Sequence, residues 1–310
     1  MPKPTVTIGI PAFNEQANIG FLLESILKQQ QEGFIIEKII VASDGSTDNT
    51  NKIVRGFKRK NIMLIANKER LGQGPRNNQI IERTKSDCLV LLNADIAIID
   101  KSFLTKLISP ILKEGADLTS VRPLGVKPKK FFEKIVFISL LIRDFMYESY
   151  RNGQSIYTCW GAGRGFSKKF YQEFRFKDSI GEDAYSYLYC ESHGFIYNHV
   201  SSARCYIKLA SNFSDHAKQS IRNIQTLKKY HQEFGKAFVE KEYGGWNILY
   251  GMTPRMVTLG VLYSLFRSPI YTLLFLFIAT WMRIKSLGAK TIPNTWSMSN
   301  STRAAAANIL

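Results

Sequence analysis

The sequence predicts an α/β protein: a mostly parallel, Rossmann-like sheet with helices on both faces, followed by a C-terminal apolar helical segment. Three observations predict it. Short apolar runs alternate with helical periodicity through the first 125 residues. Several of those runs end in polar, turn-forming residues that include a carboxylate, the place where open α/β sheets bind ligands. Two apolar stretches, 256–266 and 270–282, then stand near the end of the chain.

Residues 5–10 (TVTIGI) read as the first strand, ending in Pro11-Ala12-Phe13-Asn14-Glu15. In 18–31, Ile19, Leu22, Leu23, Ile26 and Leu27 recur at helical spacing. Residues 39–42 (IIVA) read as a buried strand, and Ser43-Asp44-Gly45-Ser46-Thr47-Asp48-Asn49-Thr50 follows with the residues of a tight turn and a helix N-cap. Asp48 serves equally well as a cap of the next helix, 48–60, or as a functional group. A short strand at 62–65 precedes a helix at 74–84. Residues 88–92 are a strand ending in Asn93-Ala94-Asp95, and 101–114 a helix.

Lys127-Pro128-Lys129-Lys130 marks a change of composition. The aromatic, apolar stretch 131–150 reads as an amphipathic helix, either packed on the domain or lying in a membrane interface. Trp160-Gly161-Ala162-Gly163-Arg164-Gly165 reads as a glycine-rich loop without the GK[ST] ending of a Walker loop. A helix is expected over 184–191 and a strand over 195–197. The second C-terminal apolar run spans only ~20 Å as a helix, short of a ~30 Å hydrocarbon core. The expectation is therefore interfacial or re-entrant helices, with a full span or a packed hairpin as alternatives. Arg255, Arg267, Arg283, Lys285 and Lys290 flank or interrupt these runs and suit anionic headgroups on the cytoplasmic side.

Forty-five per cent hydrophobic residues in 310 allow a sizeable core. Cys88, Cys159, Cys190 and Cys205 form no CxxC pair, which argues against a zinc site or a disulfide framework. No signal-peptide pattern precedes the first strand, so the catalytic part is expected in a reducing cytoplasm. The net charge of +17 is concentrated late: 17 Lys+Arg against 13 Asp+Glu in residues 1–126, and 25 against 12 in 127–310. That asymmetry suits an anionic partner such as phospholipid or a phosphorylated substrate. No nucleic-acid motif accompanies it.

Strand ends carrying PAFNE, SDGSTD and a terminal Asp95, followed by Glu182-Asp183 and by Gln219-Ser220-Ile221-Arg222, resemble the family 2 glycosyltransferases of GT-A fold over roughly residues 4–230. The resemblance implies a catalytic domain at 1–235, with 1–125 binding a nucleotide sugar and 126–235 the acceptor; the apolar runs beyond it make 236–310 the expected membrane-associated helical segment. It implies that Asp95 binds Mg²⁺ or Mn²⁺ at the donor's diphosphate, although Asn93 stands where a first Asp is common. It implies that Asp44 accepts from the uracil N3–H of a UDP-sugar in a pocket lined by Pro11, Ala12, Phe13 and Glu15. The basic cluster Lys68, Arg70 and Arg76 falls near the donor or on a solvated face. Asp183 is implied as general base of an inverting transfer, with Glu182 orienting the acceptor or pairing with a cation. Gln219 and Arg222 match the start of a QxxRW motif whose Trp is replaced by Asn223, which favours non-processive transfer. His216 is a candidate third metal ligand or diphosphate contact, or a structural residue. The expected acceptor is a hydroxyl of a glycan or of a lipid-linked or membrane-proximal molecule. A polyprenyl-phosphate acceptor, a nucleotidyltransferase and a non-enzymatic binder are the rivals.

Overall fold

The computed structural model describes residues 2–177, 181–243 and 254–287, with the backbone alone described at 218–225, 254–256, 283 and 285–287. The chain begins with β1 (Thr5–Ala12), α1 (Ile19–Leu27), β2 (Ile35–Asp44), α2 (Thr50–Gly56), β3 (Ile62–Asn67), α3 (Gln73–Glu82) and β4 (Cys88–Leu92). It continues through β5 (Ile96–Ala97), α4 (Phe103–Lys113), β6 (Leu118–Gly125), α5 (Phe131–Ser149), a short 3₁₀ turn (Tyr150–Gly153) and β7 (Gly163–Ser167). The rest is α6 (Lys168–Glu173), α7 (Glu182–Ser192), β8 (Tyr197–Ile207), α8 (Phe213–Phe234), α9 (Lys236–Glu242), α10 (Pro254–Arg267) and α11 (Pro269–Leu287).

The strands form one sheet in the order β3-β2-β1-β4-β7-β6-β8-β5. The β3-β2-β1-β4 half is parallel, as the alternating pattern predicts. The other half is mixed: β7 runs antiparallel to β4 and β6, β5 antiparallel to β8, and β6 parallel to β8. β7 begins within the stretch read as a glycine-rich loop. Its glycines reflect close packing: a Cβ on Gly165 would stand 2.5 Å from Thr119 Oγ1, and one on Gly163 2.9 Å from Val121 Cγ1. β5 and β6 had no strand signal in the sequence reading, and β8 extends well beyond the expected 195–197.

Neighbouring strand residues point to opposite faces, and both faces are covered. Ile39 and Val41 join Ile8, Ile10, Leu22, Ile26, Leu104 and Leu107 in one core. Ile40 and Ala42 join Ile80, Leu89, Leu91, Phe166 and Phe170 in the other. Gly9 lets α3 close on the sheet, since a Cβ there would lie 2.4 Å from Ile80 Cγ2. The β1–β4 pairing ends at Gly9, so Pro11, which has no N–H, stands where β1 has β2 alone as a neighbour.

A third apolar cluster ties the C-terminal helices to the domain. Ile135, Ile138, Ile142 and Met146 form one stripe of α5 and pack with Phe275 of α11. A Cβ on Gly260 of α10 would lie 2.9 Å from Met146, so this glycine allows α10 to approach α5. One face of α5 is thus packed, while Phe131 and Phe145 remain exposed. None of the described helices is long and apolar enough to cross a membrane. Arg267 lies beside Tyr263, with Nη2 donating to its hydroxyl at 3.1 Å; the side chains of Arg255, Arg283, Lys285 and Lys290 lie outside the described residues.

Candidate active site

Strand order places the site. β1 has neighbours reached by connections in opposite directions, β2 on one side and β4 on the other, and the crevice beyond the strand ends at such a switch point is the ligand site of open α/β sheets. The PAFNE, SDGSTD and Asn93-Asp95 segments all leave strands there.

The first two segments are laced together through Asn14. Its Oδ1 accepts from Thr47 N at 2.7 Å and from Asp48 N at 3.3 Å, and its backbone N–H donates to Ser46 Oγ at 3.0 Å. Asn14 holds a left-handed backbone (φ 53), which Asn tolerates better than most residues. Glu15 is part of the frame: its N–H donates to Thr50 Oγ1, and its carboxylate accepts from Asn18. Asp48 takes the structural option, accepting from Thr50 N at 2.9 Å and Gln16 N at 3.1 Å. The Arg70 guanidinium stacks 3.9 Å over Phe13 at the mouth of the same loop.

Asp44, at the end of β2, is buried. Its carboxylate accepts from Leu71 N (2.8 Å), Gly72 N (2.9 Å) and Arg76 Nε (2.7 Å). Arg76 is buried too, and its Nη2 donates to the Glu69 carbonyl at 2.5 Å. The cationic cluster read from the sequence therefore divides: Arg76 turns inward and fixes Asp44 and the 69–72 turn, while Arg70 lies against Phe13. A carboxylate offers about four acceptor sites, and these three donors leave room for one more.

Asn93 and Asp95 follow β4 and are both half-buried. Asn93 N donates to the Ala162 carbonyl at 3.1 Å, and its Oδ1 accepts from Gln73 Nε2 at 2.8 Å. Asp95 is close enough to Cys205 for its charge to contribute to raising that buried thiol's pKa. His216, on α8, meets Phe132 edge-on with ring centroids 6.2 Å apart. Burial, helped by the nearby Arg143 charge, lowers its pKa to about 4, so at neutral pH the imidazole is uncharged. Among the described residues no three His, Cys, Asp or Glu side chains converge into a metal cage. One carboxylate beside an amide fits a Mg²⁺ or Mn²⁺ whose remaining sphere comes from phosphate oxygens and water.

Asp183 lies in the first turn of α7. Gly161 lies against it: a Cβ there would stand in ordinary van der Waals contact, 3.6 Å from Asp183 Oδ2. Since Ala162, the next residue, holds Asn93, the loop before β7 joins the Asp183 carboxylate to the β4 strand end. The helix start is built from behind. Buried Arg164 donates through Nη1 to the Glu182 carbonyl (2.6 Å) and Ser186 Oγ (2.9 Å), and Tyr230 Oη donates to the Gly181 carbonyl (2.5 Å). Gly181 has φ +96, a conformation that favours glycine. Glu182, the residue before Asp183, is buried at this helix start.

Asn14, Gln73, Arg164 and Tyr230 are the residues that sequence reasoning missed. Only Asn14 carried a signal, as the polar residue inside the PAFNE strand end. Gln219 and Arg222 lie on α8, and their side chains are outside the described residues.

The glycosyl transferase family 2 model matches residues 7–175, more than half of the chain, and the chain belongs to that family. It has the GT-A fold. A 4,4'-diaponeurosporenoate glycosyltransferase of Staphylococcus aureus is 30% identical over 132 residues, 42% of this chain and 34% of that protein. The match thus spans about a third of the relative's length. Among solved structures, the mannosyltransferase PcManGT from Pyrobaculum calidifontis, in complex with GDP-Man and Mn²⁺, superposes with TM-score 0.57 at 16% identity, covering 95% of this chain and 78% of that one. Glucosyl-3-phosphoglycerate synthase from Mycobacterium tuberculosis, with Mn²⁺, UDP and phosphoglyceric acid, gives 0.53 at 17% identity over 73% and 78%.

Proposed function

We propose that the chain transfers one sugar, with inversion, from a nucleoside diphosphate sugar to a hydroxyl of a lipid-linked or membrane-proximal acceptor. The observation that carries this reading is the junction at Gly161-Ala162, which brings Asp183 and the Asn93-Asp95 strand end to one crevice. Asp183 takes the hydroxyl proton as the acceptor oxygen attacks the anomeric carbon. The bond from that carbon to the diphosphate oxygen breaks on the opposite face, and its electron pair leaves with the diphosphate. Asp95, with Asn93 beside it and neutral His216 as a further candidate, would hold Mg²⁺ or Mn²⁺. The bound ion supplies charge neutralisation of the leaving group. Asp44, kept rigid by Arg76, offers its remaining acceptor site to the base N3–H of a uridine donor, in a pocket walled by Pro11, Ala12, Phe13 and Glu15. Structural neighbours that bind GDP-Man or UDP with Mn²⁺ support a nucleotide-sugar donor and a divalent ion.

The enzyme works at the cytoplasmic face of a membrane in this reading. Support comes from α10 and α11, which leave Leu259, Leu262, Phe266, Ile270, Leu273 and Phe277 exposed. Release of nucleotide from one UDP- or GDP-sugar, dependent on added Mn²⁺ and lost in Asp95→Ala, tests the proposal.

A further inference from the structure

Beside the candidate active site, at the entry to α5, lies a cavity of about 80 Å³ lined by Lys127, Lys129, Lys130, Lys208 and Glu133. Four lysines and one carboxylate residue thus line it. That carboxylate is already engaged: Glu133 Oε2 accepts from Lys129 N (2.9 Å) and Lys130 N (3.0 Å). These bonds and the charges of Lys208 and Lys130 outweigh the opposing effect of burial and hold its pKa below the ordinary range. Glu133 thus satisfies the start of the helix, and the positive charge of the cavity comes from the lysine side chains.

Two neighbours give this cavity a direction. On one side is the reaction crevice. The β5–β8 register runs Ala97–Tyr206 and Ile96–Ile207, so Asp95 and Lys208 each stand one residue beyond its last pair. On the other side is the apolar face of α11. Phe131, directly after Lys130, is exposed and meets Tyr271 with ring centroids 5.7 Å apart. From there Ile270, Leu273, Phe277, Trp281 and Ile284 recur at spacings of three and four, one stripe of α11, all exposed. A monomer surface that continues apolar along a whole helix marks an interaction site, and the lysine-lined cavity sits at its edge, with Lys208 next to Asp95 in the sheet.

We propose that Lys127, Lys129, Lys130 and Lys208 seat the phosphate of a lipid-linked acceptor whose hydrocarbon chain lies along the α11 stripe. Cationic side chains hold the phosphate electrostatically, and the apolar stripe takes the chain. The acceptor would then reach Asp95 and Asp183 from the bilayer side. This rests on the membrane-proximal acceptor of the proposed function and adds the chemistry by which that acceptor is recognised.

Binding without any sugar donor tests it, so its failure is separable from failure of the transferase reading. The full chain, in mild detergent, is titrated with farnesyl phosphate, farnesol and inorganic phosphate by calorimetry. Farnesyl phosphate is expected to bind at least tenfold more tightly than farnesol or inorganic phosphate, with affinity falling as salt rises. The triple variant Lys129→Gln/Lys130→Gln/Lys208→Gln is expected to lose at least tenfold for farnesyl phosphate and to keep its farnesol affinity. The pair Lys129→Gln/Lys130→Gln, both solvent-exposed, provides a second reading should the triple variant fold poorly. Equal binding of farnesyl phosphate and farnesol, or unchanged binding by both variants, would overturn the proposal. Inorganic phosphate binding as tightly as farnesyl phosphate would overturn the lipid assignment and leave a free-phosphate site.

Discussion

Arg76→Ala separates two roles that the sequence left together. In the structure Arg76 is a buried partner of Asp44, with side-chain exposures of 2% and 7% and Nε to Oδ1 at 2.7 Å. Removing the guanidinium leaves a buried carboxylate with two backbone donors in place of three donors, and also deprives the Glu69 carbonyl of its 2.5 Å bond. Breaking one side of a buried ion pair costs about 3–5 kcal/mol. At ~2–4 °C per kcal/mol for a large domain, that is a fall in Tm of roughly 6–20 °C. Thermal unfolding followed by circular dichroism measures it. Arg76→Lys is expected to recover only part, because an ammonium cannot serve Asp44 and Glu69 with the geometry of the fork. The double variant Arg76→Leu/Asp44→Asn should lose less than the sum of its singles, since each single leaves an unpaired buried charge and the double leaves none. An Arg76→Ala protein that melts within a degree or two of wild type, but binds donor weakly, would refute this assignment and make Arg76 a donor contact.

Two further outcomes follow from the geometry. Asp183→Asn keeps the size of the side chain and its contact with Gly161, so the fold and donor KM should hold while kcat for transfer falls about 10²–10⁴-fold; steady-state kinetics against both substrates check it. Glu148, whose carboxyl is held below its usual pKa first by the hydrogen bond from His199 and also by Arg122, stabilises the folded state above pH ~4.3. That contribution is lost as pH falls through the folded-state value, so Glu148→Gln should lower Tm at pH 7 and flatten its acid decline below about pH 4.3.

How much of this was legible in the sequence depends on what made each element. β1, β2, β4 and α1 announce themselves because buried parallel strands and an amphipathic helix leave local patterns. β7 did not, because Gly163 and Gly165 are there for contact with Val121 and Thr119, which come from a distant strand and look like loop residues in one dimension. The carboxylates at Asp44, Asp95 and Asp183 were found from strand ends and motifs. Their partners were not: Arg76 donates across 32 residues, Arg164 reaches the start of α7 across 18, and Tyr230 meets Gly181 across 49. The inward turn of Arg76 is the clearest case, since a basic residue after a strand reads as a phosphate contact until burial shows it paired. The lysines at 127–130 were visible only as a change in composition, and β8 had to bring Lys208 beside them before they formed a cavity.

The most direct measurement of the central claim is nucleotide release from UDP- and GDP-sugars by the purified chain, with and without Mn²⁺, for wild type, Asp95→Ala and Asp183→Asn. The account predicts slow, ion-dependent hydrolysis of one donor, abolished by Asp95→Ala, and transfer to a membrane-supplied acceptor that Asp183→Asn suppresses far more than donor binding. Release that is unaffected by Asp95→Ala, or no binding and turnover of any donor with membranes present, would contradict it.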